Sequence, residues 1–134
     1  MDVRIKELCR VYVSQSVQCG YCGAQRLAEA ASAGVTEADY KDLLTFERSG
    51  RYDERQKAAL SLADAITWDR DTDDAFWQRL YTHFSEPELV ELGYFIGFTM
   101  GQQRFNRLLN IVIEPKPAAA VVSPAGPAPG SQRA

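Results

Sequence analysis

Histidine is nearly missing from this sequence: His83 is the only one in 134 residues. That scarcity excludes a metal or catalytic centre built on two or three imidazoles. Positive charge is not in excess either. The formal net charge is −3, which gives no reason to expect a nucleic acid or an anionic membrane as partner. No apolar run approaches the roughly 20 residues that a bilayer span needs. Asp2, Arg4, Lys6, Glu7 and Arg10 interrupt the first segment, so it lacks the apolar core of a secretory signal, and a cytoplasmic setting is expected. Three cysteines, an odd number, do not look like a disulfide scaffold.

What is present is ordinary globular composition, 46% hydrophobic and 25% charged, at a length that predicts one domain. The composition changes near residue 115. Five of the six prolines, Pro115, Pro117, Pro124, Pro127 and Pro129, lie beyond that point among alanines and glycines, with Lys116 and Arg133 as the only charges. Such a segment cannot hold a helix and has little to bury. A folded domain over 1–114 and a disordered Pro/Ala-rich tail over 115–134 are therefore expected.

Helix starts recur through the body. Thr36 precedes Asp39, Asp53 precedes Gln56, Asp71 precedes Asp74 and Ser85 precedes Glu88, each at a spacing of three. These pair an N-cap side chain with an acceptor at the third helical position. Apolar residues follow at helical spacing, as in Leu89, Leu92, Ile96 and Met100. The pattern predicts helices over 2–16, 20–32, 37–47, 54–68, 73–82 and 86–110, an all-α fold of about six helices. Val11–Tyr12–Val13 has strand propensity but lies inside a helical period. Gly93, Gly97 and Gly101 fall on one face of the last helix. Each costs about 1 kcal/mol relative to alanine, so close packing on another helix, within the subunit or across an oligomer interface, is expected. Trp68, Phe76, Trp77, Tyr81 and Phe84 read as core or interface packing, and His83 as a helix C-terminal residue. Asp69, Asp71, Asp73 and Asp74 lack the glycine and glutamate of a calcium loop.

The sharpest local signal is Cys19–Gly20–Tyr21–Cys22. Two thiols at this spacing, at a helix start, can close a disulfide with little backbone change and favour a thiolate. Half of a zinc site is a competing reading, weakened because Cys9 and His83 are the only other ligands of those types. Inert buried thiols are the other alternative. Glu7 lies twelve residues before Cys19. If the two helices pack together, its carboxylate would face the thiols and shuttle a proton. Taken alone, it reads as a solvated helix residue.

The run from Val11 to Cys22, with Arg55–Gln56–Lys57–Ala58–Ala59–Leu60, the helix start at Phe84–Leu92 and Asn106–Arg107–Leu108, resembles the carboxymuconolactone decarboxylase and alkyl hydroperoxidase D superfamily. The resemblance runs from Val3 to about Ile113. It implies an all-α fold and a homo-oligomer, a trimer or hexamer. It implies a thiol-dependent peroxidase without haem, flavin or metal, with a small-molecule hydroperoxide as substrate and a dithiol as electron donor. By the same likeness Cys22 would attack the peroxide, Cys19 would resolve the sulfenic acid, and Glu7 would relay protons. Hydroperoxidases of this kind carry a histidine four residues after the second cysteine, where this chain has Arg26. Arginine cannot act as a base there. It would hold a thiolate by charge or pair with Glu7, while Tyr21 would donate a hydrogen bond. Two other readings stay open. One is a non-catalytic helical oligomer or redox switch. The other is a decarboxylase-type enzyme using Arg10 and Arg26 against an anionic lactone.

Overall fold

The computed structural model describes residues 1–111, and the 115–134 tail expectation lies outside them. Six α-helices and two short 3-10 helices follow one another. They are α1 (Val3–Ser16), α2 (Gly20–Ala24), α3 (Ala28–Ser32), 3-10 pieces at Glu37–Tyr40 and Leu43–Arg48, α4 (Glu54–Trp68), α5 (Asp74–His83) and α6 (Glu86–Leu108). No strand occurs among the described residues.

Helix α1 is the hub. Every residue from Glu7 to Ser14 is buried, including Val11–Tyr12–Val13, which are helical as the period predicts. It packs against both α4 and α6, which also pack on each other. Leu60 of α4 and Leu92 and Ile96 of α6 are fully enclosed at these contacts. Each such side chain contributes roughly 1.5–3 kcal/mol relative to exposure. Cys9 sits at the centre of this packing, and burial pushes its thiol well above the ordinary range.

The caps explain the starts. At α4, Gln56 donates its backbone N–H to Asp53 at 2.8 Å and Asp53 donates back to the Gln56 side chain at 3.0 Å. At α6, the Ser85 N–H reaches Glu88 at 2.8 Å. Thr36 donates likewise to Asp39 at 2.8 Å. The cap of α5 is Asp73, which accepts from the Phe76 N–H at 2.8 Å, rather than Asp71. His83 occupies the last turn of α5. Gly34, with φ of 99°, takes the left-handed turn after α3 that a side chain resists.

Two expected helices are broken. Residues 37–47 fall into two 3-10 pieces, Glu37–Tyr40 and Leu43–Arg48, the second interrupted by a non-helical Thr45. Tyr40, Leu43 and Phe46 are the buried residues there, and that spacing of three matches the 3-10 period rather than 3.6. The segment 20–32 is split by extended backbone at Gln25 and Leu27. Side chains from α1 capture the backbone groups that a continuous helix would use, as described below.

The outer face of α6 is unusual. Tyr94 and Phe98 are 80% and 68% exposed, and Val90, Phe105 and Leu108 share that face. Gly93, Gly97 and Gly101 open onto it, with no heavy atom within 4 Å of a Cβ built at any of them. Packing within the chain therefore does not account for the three glycines among the described residues. Beside them, α4, α5 and α6 enclose an apolar groove of about 760 Å³ lined by Ile66, Phe76, Trp77, Tyr94 and Phe98. Of the aromatic cluster expected in core or interface packing, Phe84 is buried and Phe76 packs against the core, while Trp68, Trp77 and Tyr81 are exposed.

Candidate functional site

The turn after α1 aims the cysteine pair. Gln18 adopts φ of 58°, an uncommon backbone conformation for a non-glycine residue. The Cys19 N–H then bonds the Ser14 carbonyl at 3.0 Å, folding the chain back along α1. Cys19 becomes the N-cap of α2 and accepts from the Cys22 N–H at 3.4 Å. Cys19 and Cys22 are joined as a disulfide, with Cα atoms 5.3 Å apart. Their exposures are 4% and 6%. Tyr21 is buried with them.

Glu7 is enclosed at 1% exposure rather than solvated. Its partner is Arg10, one helical turn on. Arg10 Nε donates to Glu7 Oε2 and Nη2 to Oε1, both at 2.8 Å. The rest of the guanidinium is directed at the loop: Nη1 donates to the Cys22 carbonyl at 2.8 Å and Nη2 to the Gln25 carbonyl at 2.7 Å. Glu7 Oε1 also accepts from the Leu27 N–H at 3.1 Å and from the Tyr40 hydroxyl at 3.3 Å. A continuous helix would use the Cys22 carbonyl and the Leu27 N–H in its own ladder. The buried ion pair bonds both, leaving the Cys22 carbonyl only a long bond from the Gln25 N–H at 3.3 Å, and the helix stops at Ala24 and resumes at Ala28. Burial and the adjacent Glu7 push the Tyr40 hydroxyl above its ordinary range, which keeps it a donor.

Arg26 lies at the break. Its Nε donates to Glu37 at 2.7 Å, its Nη1 to the Gln25 carbonyl at 2.8 Å, and its guanidinium stacks 4.2 Å over the Tyr40 ring. The guanidinium beside Glu37 holds that carboxyl below the usual carboxylate range. Arg26 and Glu7 thus meet through opposite parts of Tyr40, ring and hydroxyl, and the ion-pair partner of Glu7 is Arg10. The two cations that an anionic-lactone site would use are paired with Glu7 and Glu37.

Helix α6 closes the site from above. Gln103, buried at 2%, donates to the Arg10 carbonyl at 3.1 Å. Three residues later, the Asn106 side-chain amide donates to the Cys22 sulfur at 3.5 Å. Gln103 and Tyr40 carry no site signal in the sequence, Asn106 enters there only through the family resemblance, and Arg10 only as an anion ligand. The spacing of Glu7 and Arg10, three apart and flanking the apolar Leu8 and Cys9, was the available signal for the ion pair. Among the described residues no group of three His, Cys, Asp or Glu side chains gathers as a metal cluster. No described helix is long and apolar enough to cross a membrane.

The arrangement can do thiol–disulfide chemistry: two adjacent sulfurs, a different donor on each, and a buried charge pair behind the loop that carries them.

Residues 1–65 match the model of the carboxymuconolactone decarboxylase family. The uncharacterized protein YdfG of Bacillus subtilis (strain 168) is 29% identical over 89 residues, which cover 65% of this chain and 60% of YdfG. The uncharacterized protein Rv2313c of Mycobacterium tuberculosis (strain ATCC 25618 / H37Rv) is 34% identical over 97 residues, 70% of this chain and 34% of Rv2313c. The match thus spans less than two thirds of either relative. Among solved structures, ATU0492 of Agrobacterium tumefaciens is a protein of unknown function and a candidate antioxidant defence protein AhpD. It superposes with a TM-score of 0.76 at 22% identity, over 87% of this chain and 81% of that one. A variant of the debrominase Bmp8, in complex with 2,3,4-tribromopyrrole, superposes with a TM-score of 0.70 at 22% identity, over 85% and 62%. These two likenesses show a shared fold. Together with the family match over residues 1–65, just under half of the chain and carrying α1, the cysteine pair and most of α4, they support the resemblance to the carboxymuconolactone decarboxylase superfamily.

Proposed function

We propose that the chain is a thiol-dependent peroxidase of the AhpD type, reducing a small-molecule hydroperoxide through Cys22 and Cys19. The observation that carries this reading is the Cys19–Cys22 pair itself, closed as a disulfide and held by the backbone against α1 and α6. In the oxidative half, the Cys22 thiolate attacks the terminal oxygen of ROOH. The S–O bond forms as O–O breaks, and the alkoxide takes up a proton to leave as ROH. The Cys19 thiolate then attacks the Cys22 sulfur. The S–S bond forms and hydroxide leaves, taking a proton to become water. A dithiol donor restores both thiols by exchange and is itself oxidised to a disulfide. These steps need no haem, flavin or metal, and a reducing compartment such as the cytoplasm suits the donor.

Proton movement through Glu7 requires its carboxylate to trade an Arg10 hydrogen bond for the proton. Arg26, tied to Glu37 and Tyr40, serves as a brace for the loop behind Cys22, and Tyr21 as a packed wall beside it. The reading includes a homo-oligomer, a trimer or hexamer by family likeness. The apolar outer face of α6, with three glycines that leave room for a close helix approach, is the surface a second copy would cover.

The test is peroxide consumption by the reduced protein with a dithiol donor, across hydrogen peroxide and organic peroxides. Turnover is expected in wild type and absent in Cys22→Ser, and Arg26→His is expected to raise it. No turnover in wild type removes the peroxidase reading. The near-complete burial of both sulfurs favours a second reading, a redox switch. That reading stands if the pair cycles reversibly between thiol and disulfide without consuming peroxide.

A further inference from the structure

We propose that Asn106 is a catalytic residue of this thiol site, donating its side-chain amide N–H to the Cys22 sulfur and selecting that sulfur as the thiolate of the pair. The proposal rests on reading the pair as redox-active, and goes beyond it by saying which sulfur carries the charge and what holds it there. The geometry is direct: Asn106 Nδ2 lies 3.5 Å from Cys22 Sγ. The donor is also well anchored. Gln103, on the same face of α6, is buried and bonded to the Arg10 carbonyl of α1, which fixes the rotation of α6 above the cysteines. The Arg10 side chain, in turn, holds the Cys22 carbonyl. Sulfur and donor are therefore both positioned from the same turn of α1.

The two sulfurs are not equivalent. Cys19 accepts from the backbone N–H of Cys22, within its own loop. Cys22 accepts from a side chain 84 residues away, on a different helix. The imidazole that resembling hydroperoxidases carry near the second cysteine is replaced here by Arg26, which is engaged by Glu37 and Tyr40. Asn106 supplies a donor to the sulfur without titrating, so it stabilises charge but moves no proton.

This makes the exchange step directional. A donor thiolate attacks the Cys19 sulfur and forms a mixed disulfide. The Cys19–Cys22 bond breaks, and its electron pair leaves with Cys22 as the thiolate that Asn106 bonds. The second thiol of the donor then loses its proton and attacks its own sulfur in the mixed disulfide. Cys19 is released and takes up that proton, and the donor leaves as a disulfide. The same Cys22 thiolate is the nucleophile toward peroxide.

The experiment is a pH titration of the Cys22 thiolate by its ultraviolet absorbance. The signal is the difference between Cys19→Ser and Cys19→Ser/Cys22→Ser proteins, so that Cys9 cancels. It is repeated with Asn106→Ala and with the near-isosteric Asn106→Asp. Loss of a hydrogen bond to a charged group predicts an upward shift of about one unit in Asn106→Ala, roughly a tenfold lower thiolate fraction below the pKa. The shift should be larger in Asn106→Asp, where a carboxylate faces the sulfur. The Cys19–Cys22 reduction potential should become more negative in Asn106→Ala, because the reduced state loses its donor. Thiolate titrations and potentials that match wild type in both variants overturn the proposal. If Asn106→Ala does not fold, the Asn106→Asp titration decides alone. Shifted titrations without peroxide turnover would retain the role of Asn106 and remove the peroxidase. Turnover with unshifted titrations would do the reverse.

Discussion

Arg10 meets four oxygens at once: both of Glu7 and the carbonyls of Cys22 and Gln25. Removing one member of such a buried pair leaves the other uncompensated, at a cost of about 3–5 kcal/mol. Arg10→Met and Glu7→Gln are each expected to lose stability on that scale in urea denaturation. Replacing both residues with methionine should cost less than the sum of the two single Met changes, because no lone charge remains. Arg10→Lys should rescue little, since an ammonium cannot span a carboxylate and two carbonyls as a planar fork does. At this scale the pairing of Cys19 and Cys22 was legible because their spacing is local, while Glu7, which alone reads as a solvated helix residue, is buried against Arg10. Asn106 entered only as part of a stretch that carries the family resemblance, with no role at the site. A polar side chain near the end of a long helix reads as solvated, and only the packing of α6 on the cysteine loop turns it toward Cys22.

At the scale of the element, the period of buried residues decides what forms. The helices with a clean 3.6-residue pattern and a cap, such as α4 and α6, lie where the sequence places them. The segment 20–32 does not, although its residues have helix propensity, because Glu7 and Arg10 take its central backbone groups. That competition is tertiary and leaves no local trace. Helix α6 presents a different case. Its inner face is apolar as expected, but so is its outer face, where a surface helix is ordinarily polar. If a second copy covers that face, Tyr94→Glu with Phe98→Glu should shift the protein to monomers in size-exclusion chromatography with light scattering. Gly97→Leu should do the same by holding the helices apart. Unchanged mass in both variants would exclude α6 as the interface.

The whole molecule carries several protons that unfolding releases at alkaline pH. Burial pushes Tyr12 up to about 12, with its hydrogen bond to Asp64 adding to the effect, and burial pushes Tyr52 up to about 12 as well. Tyr40 and Cys9 move in the same direction. In the unfolded chain a tyrosine ionises near its ordinary value of 10.0. Above that pH the unfolded state therefore binds fewer protons than the folded one, and stability falls. The tyrosine contribution is complete below about pH 9 and declines from pH 10 toward 12, and that of Cys9 starts to decline earlier, from its lower ordinary value of 9.0. Denaturant midpoints measured across that window are expected to drop steadily, and Tyr12→Phe should flatten the decline.

Cys9 gives the fold one more property. With Cys19 and Cys22 joined, it is the single free thiol of the oxidised protein. It lies in the contact between α1 and its neighbours, where no reagent reaches it until those helices separate. The chain thus contains its own unfolding clock. A thiol reagent should find nothing to label in the native oxidised protein. One equivalent should react at the rate at which the core opens, so the same cysteine that contributes only packing to the folded state counts each excursion away from it.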